Sequence, residues 1–339
     1  MDDPQSLVEN ARPDEAWLGK ASPEPVIEPD LKVVDAHHHL TAGPSSAYDV
    51  GRYRADIATG HDVVATVFVE SGIFHRGRGA GGVGPLDELR AVASASESDP
   101  VLCRALVGYA DMLDEAGFGG ALDALTLAAG ERLRGLRYSV ASHPDAALRG
   151  RVADRAPGLL RDPRLAPALG MLAERGLVFE TWLYFDQIED LCLLADRCPH
   201  TVIVVDHLGG PLQAGRYSGA QGYREWLASL RPLASRSNVR LKLSGLGMTA
   251  LGAAFRVRER PPGGADLAQA WADHLLPAIG MFGAERCMFG SNFPVDKGQF
   301  AWRALWNGYK IATAHLPRTD RERLFSGTAM ETYRISGRS

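Results

Sequence analysis

Eight short apolar runs, separated by longer segments with helical periodicity, constrain this chain more than any other feature. The runs are almost continuously apolar, which is typical of strands buried on both faces of a parallel sheet. They lie at 33–37, 62–70, 101–109, 133–140, 177–184, 201–207, 239–244 and 286–290. Buried strands that alternate with helices over about 300 residues predict an α/β fold, a single-domain (β/α)₈ TIM barrel.

An open, doubly wound sheet is the alternative fold. Such a sheet is expected to carry a glycine-rich phosphate-binding turn after its first strand. Here the first run leads into His37, His38 and His39 instead. We therefore expect a barrel over residues 31–335, preceded by an N-terminal arm over residues 1–30 that is rich in Pro, Asp and Glu.

Composition excludes several classes of protein. The 339 residues are 45% hydrophobic and 23% charged, with a net charge of −4 and no polybasic stretch. We therefore expect neither a nucleic-acid partner nor a membrane partner, but a small-molecule substrate. The N-terminus has no apolar signal core, and the four cysteines form no CxxC pair. These features favour a cytoplasmic protein with reduced thiols and leave a homo-oligomer open.

Polar side chains recur where the predicted strands end. In a (β/α)₈ barrel the carboxyl ends of the strands and the loops that follow carry the active site. The residues at these ends are His37, His39, Glu70, Tyr109, Asp111, Arg137, Tyr138, Glu180, Trp182, Asp206, His207, Ser244, Ser291, Asn292 and Asp296. The sequence therefore predicts an active site at this end of the barrel.

Three histidines among these residues suit a metal or a polar substrate. In a strand, residues two apart share a face, so His37 and His39 point one way and His38 the other. Two imidazoles at a strand end can bind a divalent ion or hold a polar group. His207 ends the sixth run and is the third candidate. Asp206, next to it, is expected to point away and to be structural.

Three motifs together indicate a family. The chain resembles the amidohydrolase-related TIM-barrel hydrolases, and within them the branch that includes sugar-lactone and pyrone-dicarboxylate lactonases. The resemblance covers roughly residues 31 to 335. It rests on Asp35-x-His37-x-His39 on strand 1, Val205–Pro211 (VDHLGGP) on strand 6 and Cys287–Lys297 (CMFGSNFPVDK) on strand 8.

The resemblance implies a role for each histidine. His37, His39 and His207 would hold a divalent metal, with Zn²⁺ indicated by the ligand type. In metal-independent members of the family, the same histidines would polarise the substrate carbonyl as hydrogen-bond donors. A divalent metal is therefore the expected cofactor, and a metal-independent mechanism is the alternative.

The resemblance also exposes a departure on strand 8. The family usually places an Asp there as general base, and this chain has Asn292. The Asn292 carbonyl oxygen can still coordinate a metal or orient a water. We expect Glu180 or Asp296 to transfer protons in its place, with Glu180 serving equally well as a structural partner and Asp296 as a helix cap.

Four further residues are expected to bind substrate. The Arg137 guanidinium can hold a substrate carboxylate in a bidentate manner, or it can form an ion pair with Glu70 or Glu180. Tyr138, Glu70 and Trp182 would line the same pocket. The glycine-rich stretch Gly77–Gly84 and residues 251–265 are candidate lids.

The expected reaction is addition of water to a carbonyl, opening a lactone or other cyclic ester of a small carboxylated molecule. Two alternatives stay open. One is a non-oxidative decarboxylase, because such lyases share the fold and the strand 1 motif. The other is a catalytically altered, ligand-binding barrel, which Asn292 suggests.

Overall fold

All eight predicted strands form, and they pair in chain order. The computed structural model describes residues 13–41, 48–71, 84–145, 148, 156–248 and 251–336. Each strand is parallel to its neighbour along the chain. The strands are β1 Val33–His38, β2 Val63–Val69, β3 Ala105–Gly108, β4 Leu133–Arg137, β5 Val178–Thr181, β6 Ile203–Val205, β7 Val239–Leu243 and β8 Cys287–Phe289.

A link between the first and last strands brings the sheet round into a barrel. His38 forms a parallel bridge with Phe293, just beyond β8. The His39 amide donates to the Phe293 carbonyl at 2.8 Å, and the Asn292 amide donates to the His37 carbonyl at 2.8 Å. The (β/α)₈ barrel is therefore confirmed, and this seam joins the histidine motif directly to the strand 8 motif.

Helices alternate with the strands and cover the outer face of the barrel. A π-helical turn at Arg323–Gly327 joins the last two. The helices are α1 Glu15–Leu18, α2 Val50–Ile57, α3 Pro85–Ala95, α4 Phe118–Ala129, α5 Leu165–Glu174, α6 Ile188–Arg197, α7 Ala220–Ala234, α8 Gly264–Phe282, α9 Trp302–Ala312, α10 Arg318–Glu322 and α11 Thr328–Thr332. No helix in these described ranges is long and apolar enough to cross a membrane.

The core has two parts, divided by the sheet. On β6, Ile203 and Val205 belong to the large cluster between sheet and helices, whereas Val204 belongs to a smaller, separate cluster. The same alternation on other strands places the smaller cluster inside the barrel. Its members are Val34, Ala36, Ala65, Val67, Val69, Ala105, Val107, Val178, Val204, Met288, Ala329, Tyr333 and Ile335. The C-terminal segment thus fills the amino-terminal end of the barrel, called here the foot; the other end is called the mouth.

A bulge in β1 decides which way the histidines face. Asp35 pairs with Thr66 and His38 with Phe68, so β1 advances three residues while β2 advances two. An extra residue reverses which side chains face inward from that point on. His38 consequently lies outside, where its Nε2 is 3.0 Å from the Thr66 hydroxyl. The predicted separation of His38 from its two neighbours is confirmed, and the bulge turns those neighbours inward.

The N-terminal arm, described from residue 13, runs along the outside of the barrel. Near the mouth, the Trp17 indole donates to the Arg258 carbonyl at 3.0 Å. Towards the foot, Lys310 donates to the Glu28 carbonyl at 2.7 Å. Of the two candidate lids, residues 77–83 lie outside the described residues, and the 251–265 segment, from residue 251 on, is in contact with this arm through Arg258.

Candidate active site

Three histidines meet at the mouth of the barrel. The ring centroids of His37 and His39 are 4.8 Å apart, and those of His37 and His207 are 4.6 Å apart. Nε2 of His37 lies 3.2 Å from Nε2 of His39. All three side chains are buried. The structure therefore brings together the three histidines that the sequence predicts as ligands, from strands some 170 residues apart in sequence.

The protein holds the Nδ1 atom of each ring. His39 Nδ1 donates to the Val69 carbonyl at 2.8 Å, and His207 Nδ1 is 2.9 Å from the Ser244 hydroxyl. His37 Nδ1 faces Lys242 and a carboxylate. Nε2 is therefore the nitrogen that each ring can offer to a ligand. Metal-binding histidines are oriented by such contacts to the second ring nitrogen.

Burial keeps the three imidazoles neutral. It lowers the pKa of His37 and His207 well below the ordinary value of 6.5, and neighbouring cationic and imidazole groups lower it further. The pKa of His39 falls to about 4, mainly through burial. A neutral imidazole carries a free lone pair, which is the form that binds a metal.

Asp206 points into the site, which corrects the expectation that it faces away. Its side chain follows Val204, which already faces inward, at the normal spacing of two. His207 then adopts a left-handed backbone with φ of 53°, and Leu208 follows with φ of 58°. Because this turn interrupts the strand alternation, Asp206 and His207 can both face the barrel axis.

A layer of four buried charges lies at the mouth beside the histidines. Arg137 on β4, Glu180 on β5, Asp206 after β6 and Lys242 on β7 occupy inward positions on consecutive strands. Arg137 Nε donates to Asp206 Oδ2 at 2.9 Å, and Lys242 Nζ donates to Glu180 Oε1 at 2.5 Å. The two cations and two carboxylates balance, which offsets much of the desolvation cost of burying them.

Sequence reasoning missed Lys242. It lies between Leu241 and Leu243 in a strand buried on both faces, and its side chain is fully buried. A buried lysine needs an anionic or hydrogen-bonded partner. A lysine in a strand that the barrel buries on both faces was therefore a readable indication of an internal ion pair.

Glu180 is held from two directions. Oε1 accepts from Lys242, and Oε2 accepts from the Tyr333 hydroxyl at 2.8 Å. Burial raises the pKa of Glu180 to about 7, and the Lys242 ammonium opposes that rise. Tyr333 comes from the C-terminal segment that fills the foot. Both carboxylate oxygens of Glu180 are thus engaged by the protein.

Asn292 and Asp296 form a buried pair beyond β8. Asn292 Nδ2 donates to Asp296 Oδ1 at 2.9 Å, so the amide oxygen of Asn292 points elsewhere. The Gly247 amide donates to Asp296 Oδ2 at 3.0 Å. Burial raises the pKa of Asp296 to about 7, and these two donors oppose the rise. The carboxylate absent at position 292 is thus present four residues later, at Asp296.

Asp35 ties the first motif to the last. Its Oδ1 accepts from the Ser291 amide at 2.7 Å, and its Oδ2 accepts from the Ser291 hydroxyl at 2.6 Å. The Tyr53 hydroxyl also donates to Oδ2, at 2.6 Å. Burial raises the pKa of Asp35 to about 6 against these donors. The Asp of the strand 1 motif is therefore a positioning residue on the outer side of the sheet.

The predicted substrate-binding residues occupy different environments. Arg137 is engaged by Asp206 and by the Glu70 carbonyl at 3.1 Å, and Glu70 Oε1 lies 3.9 Å from its Nη1. Tyr138 stacks on Tyr109 and donates to Asp111 at 3.2 Å. The predicted ion-pair alternative for Arg137 is thus present, with Asp206 as an additional, unpredicted partner.

Trp182, a predicted substrate-binding residue, has an indole N–H that the described part of the chain leaves unsatisfied. Its ring centroid lies 6.1 Å from that of His207, and its side chain is buried. The indole N–H has no hydrogen-bond partner among the residues that the structure describes. A buried donor of this kind is costly to leave unsatisfied, so a ligand oxygen beside His207 would be stabilised there.

The donor set fits a divalent transition-metal ion. His37, Asp206 and His207 each offer a ligand atom, and these atoms lie within 4.8 Å of one another. Two nitrogens bound to one tetrahedral Zn²⁺ at about 2.0–2.1 Å would lie roughly 3.3–3.4 Å apart. The His37 and His39 nitrogens are 3.2 Å apart. Neutral imidazoles with one nearby carboxylate are typical of zinc and similar ions.

Comparisons with known proteins show the family of this chain. The amidohydrolase family profile matches residues 34–335. The chain is 31% identical to an uncharacterized protein, y4mH, of Sinorhizobium fredii over 230 residues, which are 68% of this chain and 69% of that protein. It is 29% identical to an L-fucono-1,5-lactonase of Burkholderia ambifaria over 178 residues, which are 51% of this chain and 56% of the lactonase.

Solved structures share the fold at lower sequence identity. A zinc-bound amidohydrolase of Burkholderia multivorans superimposes with a TM-score of 0.66 at 21% identity, over 90% of this chain and 99% of that one. A putative 2-pyrone-4,6-dicarboxylic acid hydrolase of Pseudomonas putida gives 0.61 at 20%, over 91% and 99%. A 5-carboxyvanillate decarboxylase of Sphingomonas paucimobilis gives 0.54 at 15%, over 90% and 99%.

Proposed function

The chain belongs to the amidohydrolase family, and from that premise we propose that it is a hydrolase that adds water to the carbonyl of a lactone. The observation that carries the proposal is the cluster of three buried, neutral imidazoles whose Nδ1 atoms are all held by the protein. Matches to an L-fucono-1,5-lactonase and to a putative pyrone-dicarboxylic acid hydrolase support a cyclic ester as substrate.

His37, His39 and His207 would hold a divalent ion through Nε2, with zinc favoured by the ligand type. When bound, such an ion supplies Lewis-acid polarisation of the substrate carbonyl. The chain's own residues set the geometry. Asp206 Oδ1 lies 3.3 Å from His37 Nδ1, so with an ion on Nε2 it would accept the hydrogen that this nitrogen then carries.

We assign proton transfer from the attacking water to Asp296 in preference to Glu180. The hydrogen-bond donors to Asp296 are the Asn292 side-chain amide and the Gly247 backbone amide. Both donors are neutral, so protonation of Asp296 leaves neither of them as an unpaired cation. Glu180 instead compensates Lys242 and would leave a buried cation unpaired when protonated. A general base works best with a pKa near the working pH, and that of Asp296 is about 7.

Asn292 would orient the water. Its amide nitrogen is fixed by Asp296, so its oxygen faces away from that carboxylate and can accept a hydrogen bond from water. Asn292 and Asp296 together would thus replace a single strand 8 carboxylate, Asn292 by orienting the water and Asp296 by accepting its proton. Trp182 would donate its indole N–H to a substrate oxygen. Arg137, which Asp206 holds in place, would contribute a positive charge to the pocket.

The experiment is metal analysis combined with turnover of a panel of sugar-acid lactones and pyrone dicarboxylates. We expect the purified protein to contain a divalent ion and to open at least one lactone to its hydroxy acid. Chelation should abolish that turnover, and re-addition of Zn²⁺ should restore it. The proposal fails if the metal-loaded protein opens no lactone on the panel. Release of CO₂ from an aromatic acid would instead indicate the decarboxylase alternative.

A further inference from the structure

We propose that Lys242 lowers the affinity of the histidine cluster for its divalent ion. This inference rests on the proposed metal site and concerns its regulation by one buried cation. The ammonium lies 3.2 Å from His37 Nδ1, 2.5 Å from Glu180 Oε1 and 3.7 Å from Asp206 Oδ1. Its side chain is fully buried, so salt in the solvent screens its charge only weakly.

Lys242 and the two carboxylates compete for one atom, His37 Nδ1. An ammonium can only donate, so its hydrogen bond makes Nδ1 the acceptor and leaves the hydrogen on Nε2. A carboxylate can only accept, so Asp206 at 3.3 Å or Glu180 at 3.5 Å favours the hydrogen on Nδ1. Binding of a metal through Nε2 needs the second arrangement. Lys242 therefore favours the tautomer of His37 that cannot bind the ion.

The fixed positive charge acts in the same direction. A divalent ion held by His37 and His207 would lie beside a buried ammonium, in surroundings where water cannot separate the charges. Glu180 partly cancels that repulsion, because it pairs with Lys242 directly. The affinity of the site should therefore rise when the lysine charge is removed and fall when the Glu180 charge is removed.

The chain supplies a matched control at the foot of the barrel. Lys310 is also fully buried, and its Nζ lies 3.0 Å from Nδ1 of His61. It donates to the Glu28 carbonyl at 2.7 Å. Lys310→Met thus removes a buried ammonium from an imidazole without touching the mouth.

The test measures the dissociation constant for Zn²⁺ alone, by chelator competition, for the full-length wild type and variants whose folding is checked by circular dichroism. We expect Lys242→Met to bind Zn²⁺ roughly 10- to 100-fold more tightly, an effect of the size that side chains beside a metal ligand have on affinity, here with the opposite sign. Lys310→Met should bind as the wild type does, and Glu180→Gln should bind more weakly. The double variant Lys242→Met/Glu180→Gln should fall between the two single variants.

The outcomes separate this inference from the proposed function. If the wild type binds Zn²⁺ and Lys242→Met binds it equally or less tightly, the inference is overturned and the metal site stands. If Lys242→Met does not fold, a Glu180→Gln variant with unchanged or tighter binding overturns it. If the wild type binds no Zn²⁺ but Lys242→Met does, the inference is supported while the resident metal of the proposed function is refuted. If neither binds Zn²⁺, both are refuted.

Discussion

Two fully buried lysines approach histidine Nδ1 atoms at opposite ends of this barrel. At the mouth, Lys242 lies 3.2 Å from His37 and pairs with Glu180. At the foot, Lys310 lies 3.0 Å from His61 and donates to the Glu28 carbonyl, and burial lowers its pKa to about 8. The pairwise contact is nearly the same at both ends.

The surroundings of the two pairs differ. Around His37, the imidazole of the adjacent His39 is joined by an imidazole and two carboxylates from other strands. His61 instead contacts Lys310 and the Arg303 carbonyl at 3.4 Å. A buried lysine–histidine contact is thus not in itself a sign of catalysis. What separates a site from a structural contact is convergence of polar side chains from several strands at the carboxyl face of the barrel, where barrel enzymes carry their active sites.

The largest expected difference between the two ends is in activity. His37→Ala should lower kcat/KM for the lactone by about 10³-fold, because Lewis-acid stabilisation contributes several kcal/mol. His61→Ala should leave kcat/KM near the wild-type value after correction for folded protein. Steady-state kinetics on both variants checks this, and a fully active His37→Ala protein would remove the site assignment.

A second difference should appear in stability. Lys242→Met leaves the buried Glu180 carboxylate without its cation, while Asp206 keeps Arg137, and should lower the free energy of unfolding by about 3–5 kcal/mol. Lys310→Met leaves a carbonyl and a neutral imidazole, and the cost should be about 1–3 kcal/mol. Urea unfolding of both variants decides the point. Equal losses of unfolding free energy would mean that the ion pair of Lys242 with Glu180 stabilises the fold no more than the neutral contacts of Lys310 do.

A third prediction concerns pH and Asp296, at the mouth. Its pKa is raised from 3.8 to about 7, so the folded state favours the protonated form. Wild-type stability relative to Asp296→Asn should therefore fall as pH rises from about 4 to 7, by up to about 4 kcal/mol, and stay level above that. Urea unfolding at pH 4, 6 and 8 measures it. A gap between the two proteins that does not change with pH contradicts the assigned environment.

The smallest expected effect concerns single hydrogen bonds. Trp182→Phe keeps most of the ring and removes the indole N–H beside His207, so KM should rise about 2- to 10-fold with kcat little changed. Trp306 in α9 is also buried with an indole N–H that lacks a partner among the described residues. Trp306→Phe should leave KM unchanged. If both variants shift KM alike, Trp182 does not contact substrate.

Much of the fold follows from local pattern. The continuous apolar run at 201–207 predicts β6, because a strand buried on both faces lacks alternation. The rule that barrels carry function at strand carboxyl ends then places His37, His39 and His207 at one mouth. The same rule places Asn292 and Asp296 at this mouth, because they come directly after the eighth run.

Where the reasoning failed, an irregular backbone was responsible. Alternation correctly separates His38 from its neighbours, but it cannot foresee the bulge that turns them inward. Alternation predicts the wrong direction for the Asp206 side chain, because it treats His207 as part of a regular strand although the φ of His207 is left-handed. Bulges and left-handed turns depend on what neighbouring strands supply, so one strand's own residues do not reveal them.

The sequence by itself determined that this chain forms a (β/α)₈ barrel with three histidines at its mouth, because apolar periodicity and strand-end polarity are local properties of the chain. Tertiary structure alone decided which charges meet. Lys242, Glu180 and Tyr333 lie far apart in sequence and touch only after the barrel closes and the C-terminal segment enters its foot. Their contacts depend on closure of the whole sheet, and no single segment encodes that.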